Sequence, residues 1–412
     1  MRVLFLTGDV PYPIDTGARI RTFNLIKHTQ RRAEVTLLTM AQDSSYAERR
    51  AVMKEHCTEV LYVQRPVISK IDLAKGLVKS LWSPRPFIVD KHYFEPYVRK
   101  VEELCRSGQF DLVHCDNISL AHAVPADSPI PTVLTEHNME AVIWERYYEE
   151  EKNPLKKKYI HEQLKKVVAF EGEMCRRYDT VVAVSEEDRL RLAQSYKVHN
   201  VLVVPNGVDT AYFAPSTAEI VPNSLVFTGS MDWRPNQDAM VHFIQSIWPL
   251  IHHKCPTARV WIVGRKPSDK LLALGKADPR ITVTGRVDDV RQYSASAAVY
   301  IVPLRIGGGS RLKILEALSM QKAVVSSIVG AEGLEVKNGE DIVLAESPEE
   351  FASRVLELFD RPAFRARLGE AGRDMVLQKY DWRIVANSQL AAWQHAIDLR
   401  NEKIKSEGRQ GA

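Results

Sequence analysis

AVYIVPLRIGGGSRLKILEAL (298–318) sets the reading of the whole chain. Its first seven residues are apolar with almost no break, as in a strand buried on both faces of a parallel sheet. Leu312, Leu315 and Leu318 then recur at helical spacing. Between them stand Gly307, Gly308, Gly309 and Ser310. A strand that enters a helix through glycines leaves backbone amides able to turn to a ligand, and the start of a helix favours an anion. A diphosphate is the natural guest. Lys313 and Glu316 share one helix face. Arg311, as the first helical residue, leans back toward the glycines and partly meets solvent.

The same rhythm of short apolar runs and longer helical patterns fills the chain. VLFLT (3–7), VTLLTM (35–40), VLYVQ (60–64), DLVHC (111–115), TVLTEH (132–137) and TVVAVS (180–185) read as strands. The pattern restarts with LVFTGS (225–230), RVWIVG (259–264), ITVTG (281–285), AVYIVPL (298–304) and AVVSS (323–327). Such alternation implies an α/β chain of two doubly wound, Rossmann-like domains. The expected limits are 1–204 and 205–381, joined at VVPNGVDTAYFAP (203–215), where turn residues and proline follow a strand. A last helix, 382–400, is expected to return to the first domain through an apolar stripe of Ile384, Leu390, Trp393 and Ile397. Ligands of such sheets bind beyond the carboxyl ends of the strands, so a central cleft faced by both domains is the expected site.

At 412 residues the chain exceeds one ordinary core, and 45% apolar and 26% charged residues describe a soluble globular protein. A net charge of +4 is too mild for a dedicated nucleic-acid binder. The five cysteines include no CxxC pair, which suits reduced thiols better than a disulfide framework or a zinc site. MRVLFLTGDVPYP has no signal-peptide core, and no run reaches the ~20 apolar residues of a membrane span. A cytoplasmic protein is expected.

Further motifs carry a resemblance: PYPIDTGARIRTFNLIKHT (11–29), TEHN (135–138), AVSEEDRLRL (183–192), VVPNGVDTAYF (203–213) and LEALSMQKAVVSS (315–327). With these the chain resembles, over nearly its whole length, a retaining glycosyltransferase of the GT-B fold, family 4. The resemblance implies transfer of a sugar from a nucleotide-diphosphate donor to a glycan or lipid-linked acceptor. It needs no cofactor and no metal, so Asp288 and Asp289 read as loop acidity. Glu316 would hold the nucleotide ribose, Val287 the base through its backbone, and Gly17, Gly229 and Ser230 would approach the donor. His137, at a strand end where a hydrogen-bonded structural histidine is the ordinary finding, is placed near the donor sugar. Its neighbour Glu136 reads as structural or acceptor-linked. Arg19 and Arg21 are read either as contacts to an acceptor phosphate or as solvated first-turn cations.

The departures shape the chemistry. The first acid of the family's Glu-x7-Glu signature is replaced by Gly308, and its arginine and lysine by Ser230 and Pro235. A leaving diphosphate still needs positive charge, so the cationic role is expected to have moved to Arg311 and Lys313, with Arg234 as competitor. FTGSMDWRPN with RIGGGSRLKILEA resembles a branch that builds bacterial surface polysaccharides. Two alternatives are a nucleotide-sugar epimerase of the same fold and a degenerate protein that only binds within an assembly. LKKKYIHEQLKKVV (155–168) reads as a solvated helix face or, beside the aromatic AVIWERYY and SLWSPRPFIV, as a peripheral contact with the acidic inner face of a membrane.

Overall fold

Parallel strands, each followed by a crossover, form two separate sheets. The computed structural model describes residues 1–41, 46–306 and 311–410. The chain divides into one unit of Met1–Pro205 with the segment from Val385 on, and a second of Asn206–Ile384. In the first unit the strands are β1 (Arg2–Leu6), β2 (Glu34–Ala41), β3 (Glu59–Gln64), β4 (Leu112–Cys115), β5 (Thr132–Glu136), β6 (Thr180–Ala183) and β7 (Val201–Val203). In the second they are β8 (Ser224–Thr228), β9 (Arg259–Val263), β10 (Ile281–Gly285), β11 (Val299–Val302), β12 (Val324–Ser326) and β13 (Val343–Leu344). The sheet orders are β3-β2-β1-β4-β5-β6-β7 and β10-β9-β8-β11-β12-β13. Every pairing is parallel. Each sheet reverses direction beside its first strand, between β1 and β4 and between β8 and β11, which is where doubly wound folds open a ligand crevice.

The strands end earlier than their apolar runs, for local reasons. β5 stops at Glu136, so His137 is the first residue beyond it. β6 stops before Ser185, whose side chain caps the next helix by accepting from the Asp188 amide. β8 yields to Gly229, and β11 stops at Pro303, which has no amide to give the ladder. Among the described residues, no helix is long and apolar enough to cross a membrane.

The last helix, Trp382–Gln410, differs from its expected stripe. Ile384 is exposed. The buried positions are Trp382, Val385, Ala386, Gln389, Ala392, Trp393 and Ala396, spaced three, one, three, three, one and three residues apart. Alanines at this face let the helix come close, so the large residues alone misplace it. Trp393 Nε1 donates to His114 Nδ1 at 2.7 Å, and His114 Nε2 is 3.0 Å from the Thr135 hydroxyl. The first bond makes Nδ1 the acceptor, so Nε2 carries the proton of a neutral ring. Phe5 stacks on that ring with centroids 4.4 Å apart.

Burial pushes the His114 pKa down to about 3, with Asp116 opposing. The folded value lies below the ~6.5 of an unfolded histidine. Below that pH the unfolded chain binds a proton that the native ring refuses, so stability falls as pH drops from about 6.5 toward 3. His114→Asn keeps an acceptor for Trp393 and removes the titration. Its urea-unfolding free energy should fall less steeply over this window, by up to about 1.4 kcal/mol per pH unit. An unchanged slope would mean that His114 is not held neutral.

Candidate active site

In the second unit, the polar residues that follow β8, β9 and β11 gather at one sheet edge. Gly229 leaves β8, with its amide bonded to Val263 O at 2.9 Å. The loop enters the helix Arg234–His242, with Pro235 buried in its first turn and Asn236 behind it. Asn236 Nδ2 donates to Ser230 O at 2.8 Å, and Lys313 Nζ donates to Asn236 Oδ1 at 2.5 Å. The Lys313 ammonium also stands 4.1 Å from the Phe227 ring centre, close enough for cation–π attraction. Glu316 lies one turn further along the same helix, Leu312–Ser319.

Burial sets the charges of this pair. It pushes the Lys313 ammonium down to about 7, with Glu316 opposing, and the Glu316 carboxyl up to about 7, with Lys313 opposing. No direct ion pair joins them, and among the described residues no group donates a hydrogen bond to the Glu316 carboxylate. An ammonium has three donors. Asn236 takes one of those of Lys313, so among the described residues the site retains both a spare donor and an unused carboxylate.

A further cation comes from β9. Arg265 Nε donates to Ser230 Oγ at 2.7 Å, and that hydroxyl donates to Asp232 Oδ1 at 2.5 Å. Lys313, Asn236, Ser230 and Arg265 thus form one connected chain. Neither Asn236 nor Arg265 was expected from the sequence. The signal for Arg265 was its place directly after RVWIVG, on the edge that carries Gly229.

Arg311 departs from its expected setting. It precedes the helix as its N-cap, in a left-handed conformation with φ of 51°. It is buried, and its guanidinium pairs with the Glu332 carboxylate at 2.8 Å and donates to Glu332 O at 3.2 Å. It is neither a first helical residue nor partly solvated. Gly307, Gly308, Gly309 and Ser310 lie outside the described residues. Val287, in the loop after β10, is half-buried and packs on the core of this unit. Arg234 is exposed in its helix's first turn.

In the first unit, the residues after β1, β4 and β5 also meet at one edge. His137 Nε2 donates to Asp116 O at 2.6 Å and lies 3.5 Å from Asp116 Oδ1. Its Nδ1 has no partner among the described residues. Asp116 is buried, and its Oδ2 accepts from the Thr22 hydroxyl at 2.5 Å while Oδ1 has no hydrogen bond. Burial alone would raise the Asp116 pKa, but His137, His114 and Thr22 hold it below its ordinary value. Asp116 and Thr22 escaped the sequence reading, although an acid directly after LVHC marks the strand's end.

Gly17 opens the helix Gly17–Thr29, capped by Thr16. Arg19 lies beside it and pairs with Asp9 at 2.6 Å and Asp15 at 2.9 Å. Arg21 is fully buried, so its solvated reading fails, and Nη1 donates to Pro205 O at 2.7 Å. Desolvation pushes its pKa down to about 10. Glu136 is a core residue whose carboxyl is raised well above its ordinary value by burial and by Glu171. Among the described residues, no group of three or more histidines, cysteines and acids could hold a metal.

Two nucleotide-binding-type α/β units with a cation and a carboxylate at a sheet's carboxyl edge define a class, and sequence comparison narrows it. Residues 16–212 match the model of Glycosyltransferase Family 4, and residues 222–361 that of Glycosyl transferases group 1. The chain belongs to glycosyltransferase family 4, with the GT-B fold, and is a glycosyltransferase. It is 19% identical, over 94% of its length and 98% of the other's, to an uncharacterised 44.6 kDa protein in the cps region of Klebsiella pneumoniae. To the phosphatidyl-myo-inositol mannosyltransferase of Mycobacterium tuberculosis it is 27% identical, over 46% of this chain and 53% of that one. Among solved structures, the sucrose-phosphate synthase of Thermosynechococcus elongatus shares the fold at a TM-score of 0.69 and 16% identity, covering 96% of this chain and 98% of that one. Anabaena HepE in complex with UDP-glucose does so at 0.63 and 16%, covering 97% and 100%.

Two glycines separate site geometry from fold. A Cβ at Gly264 would stand 1.8 Å from the Gly229 carbonyl oxygen, which is backbone and cannot yield. At Gly229 it would meet only side-chain ends, Asn236 Nδ2 at 2.8 Å and Lys313 Nζ at 2.9 Å. Gly264→Ala should therefore lower the unfolding temperature strongly. Gly229→Ala strains a backbone held at φ of 158° and displaces both side chains, so it should lose nucleotide affinity in calorimetry along with part of its stability. Arg311→Ala removes one partner of a partly buried ion pair and should cost ~1–3 kcal/mol of stability in chemical unfolding. A normally stable Arg311→Ala protein would contradict that pairing.

Proposed function

We propose that the chain is a retaining glycosyltransferase that moves a hexose from a nucleoside-diphosphate donor to a glycan or lipid-linked acceptor in bacterial surface polysaccharide or glycolipid synthesis. The second unit is the donor side and the first the acceptor side. The observation that carries this reading is the Lys313–Glu316 pair, poised near neutrality with a carboxylate that accepts no hydrogen bond among the described residues. That carboxylate can accept two ribose hydroxyls. Lys313 then faces the diphosphate, with Arg265 supplying the charge that Ser230 and Pro235 do not. Both act most strongly as negative charge grows on the leaving group. The Ser230 amide, just beyond β8, donates to the phosphates, while the backbone at Val287 meets the base.

On the first unit, His137 is fixed by its Nε2 bond to Asp116 O, which leaves Nδ1 to accept a hydroxyl of the transferred sugar. Gly17 provides close approach for it. The paired Arg19 lies at the same edge to meet an anionic acceptor. In this reading the acceptor oxygen attacks the anomeric carbon on the face the diphosphate leaves, and the departing phosphate oxygen takes the hydroxyl proton. The mannosyltransferase named above and HepE in complex with UDP-glucose support a nucleoside-diphosphate hexose as donor class.

A panel of nucleotide sugars, followed by NMR of the anomeric proton in the product, tests this reading. Retention from an α-linked donor gives an α product, and a β product would exclude the proposed course. Glu316→Gln should weaken nucleotide binding at least about tenfold, since a charged hydrogen bond contributes ~1.5–3 kcal/mol. Lys313→Ala should lower kcat by ~10²–10³. Arg265→Ala should lower kcat more than it raises KM. Normal nucleotide affinity in Glu316→Gln would remove the ribose assignment.

A further inference from the structure

The helix Lys70–Lys79 of the first unit buries none of its residues. Such a helix has no core to hold it, yet it is firmly built. Ser69 and Asp72 form a capping box at its start. Its hydrogen bonding continues through Leu81 and Trp82, whose amides bond to Val78 O and Lys79 O at 3.1 Å each. Its far end is clamped to the helix Pro154–Arg177. Ser80 Oγ lies 2.9 Å from the Tyr159 hydroxyl, and Lys166 Nζ donates to Ser80 O at 2.6 Å and Ser83 O at 2.7 Å.

The clamped side carries Gly76 and Ser80. The opposite side, at helical spacing, carries Ile71, Ala74, Val78, Leu81 and Trp82. Ile71 is 67% exposed and Trp82 79%. Lys75 and Lys79 flank this strip on one edge and Lys70 on the other, all exposed. On the clamping helix, Leu155 lies one turn before Tyr159 on the same stripe, 80% exposed, between the exposed Lys152, Lys156 and Lys158.

We propose that this face docks on an anionic phospholipid bilayer. A narrow apolar strip with a tryptophan at its end suits the headgroup boundary, where aromatic rings settle. Lysines along both edges complement lipid phosphates, and three lysines against one aspartate, itself bound in the capping box, give the helix a positive balance. Apolar insertion and basic charge together supply the two signals that stable peripheral binding requires. The basic helix face read from the sequence is thereby a flank, and the inserting element is the preceding helix. The inference does not rest on the transfer reaction.

Flotation of the full chain with vesicles tests it, using phosphatidylcholine alone or mixed with an equal amount of phosphatidylglycerol. The protein should float with the mixed vesicles and be released by salt. The double variant Val78→Ser/Trp82→Ser should lower the bound fraction about tenfold or more, and Lys75→Glu/Lys79→Glu similarly. All these positions are exposed, so unfolding temperatures should match the parent. Failure to float with either vesicle, or equal flotation of parent and variants, overturns the proposal. So does a change from multimer to monomer in the apolar variant, which would show that a second copy covers the face. No donor is present in this assay, so its failure leaves the transferase reading standing. A nucleotide-binding defect in Glu316→Gln likewise leaves this one untouched.

Discussion

Holding an ammonium and a carboxylate half-buried on one short helix is the constraint around which the second unit is organised. Each charge alone would be expelled by burial, and each holds the other near its midpoint. The arrangement persists because β8 ends in a glycine, which leaves room for the Lys313 terminus against Asn236 and Phe227. It also requires Gly264, the residue after β9, because that position approaches the Gly229 carbonyl so closely. The parallel order β9-β8-β11 puts all these strand ends on one edge, and so builds the site.

Such a pair responds strongly to an anion. A diphosphate beside Lys313 favours the protonated amine, and ribose hydroxyls directed at Glu316 favour the ionised carboxylate. The ligand would convert a half-charged pair into a fully charged one. Arg311, which has the same sign and lies two residues earlier, plays a different part. Its neutralisation by Glu332 makes it a fastening for the start of the helix.

Much of this was legible from the residues, and the failures have physical causes. Apolar runs announced the strands because parallel strands buried on both faces leave no alternation to misread. The edge strand β13, only two residues long, was too short to show. Lys313 and Glu316 were paired by helical spacing, while Gly229 was named only through the resemblance. Arg265 and Asn236 were not found, because their roles depend on which strands lie side by side. The Arg311–Glu332 pair spans 21 residues of chain and leaves no local trace. Arg21 sits in a first helical turn that usually meets water, and only its burial corrects the expectation. The last helix was misphased because size was taken as the mark of contact, where alanines in fact make the close face.

The central claim is that Lys313 is only partly charged before the nucleotide arrives and fully charged afterwards. Calorimetry of nucleoside-diphosphate binding at pH 8, repeated in buffers of different ionisation enthalpy, measures this directly. At that pH a group held near 7 is mostly deprotonated, while Glu316 and the diphosphate already are. Binding should then take up about one proton per nucleotide, and Lys313→Met should take up almost none. Zero uptake by the parent protein, or equal uptake by both, would contradict the account.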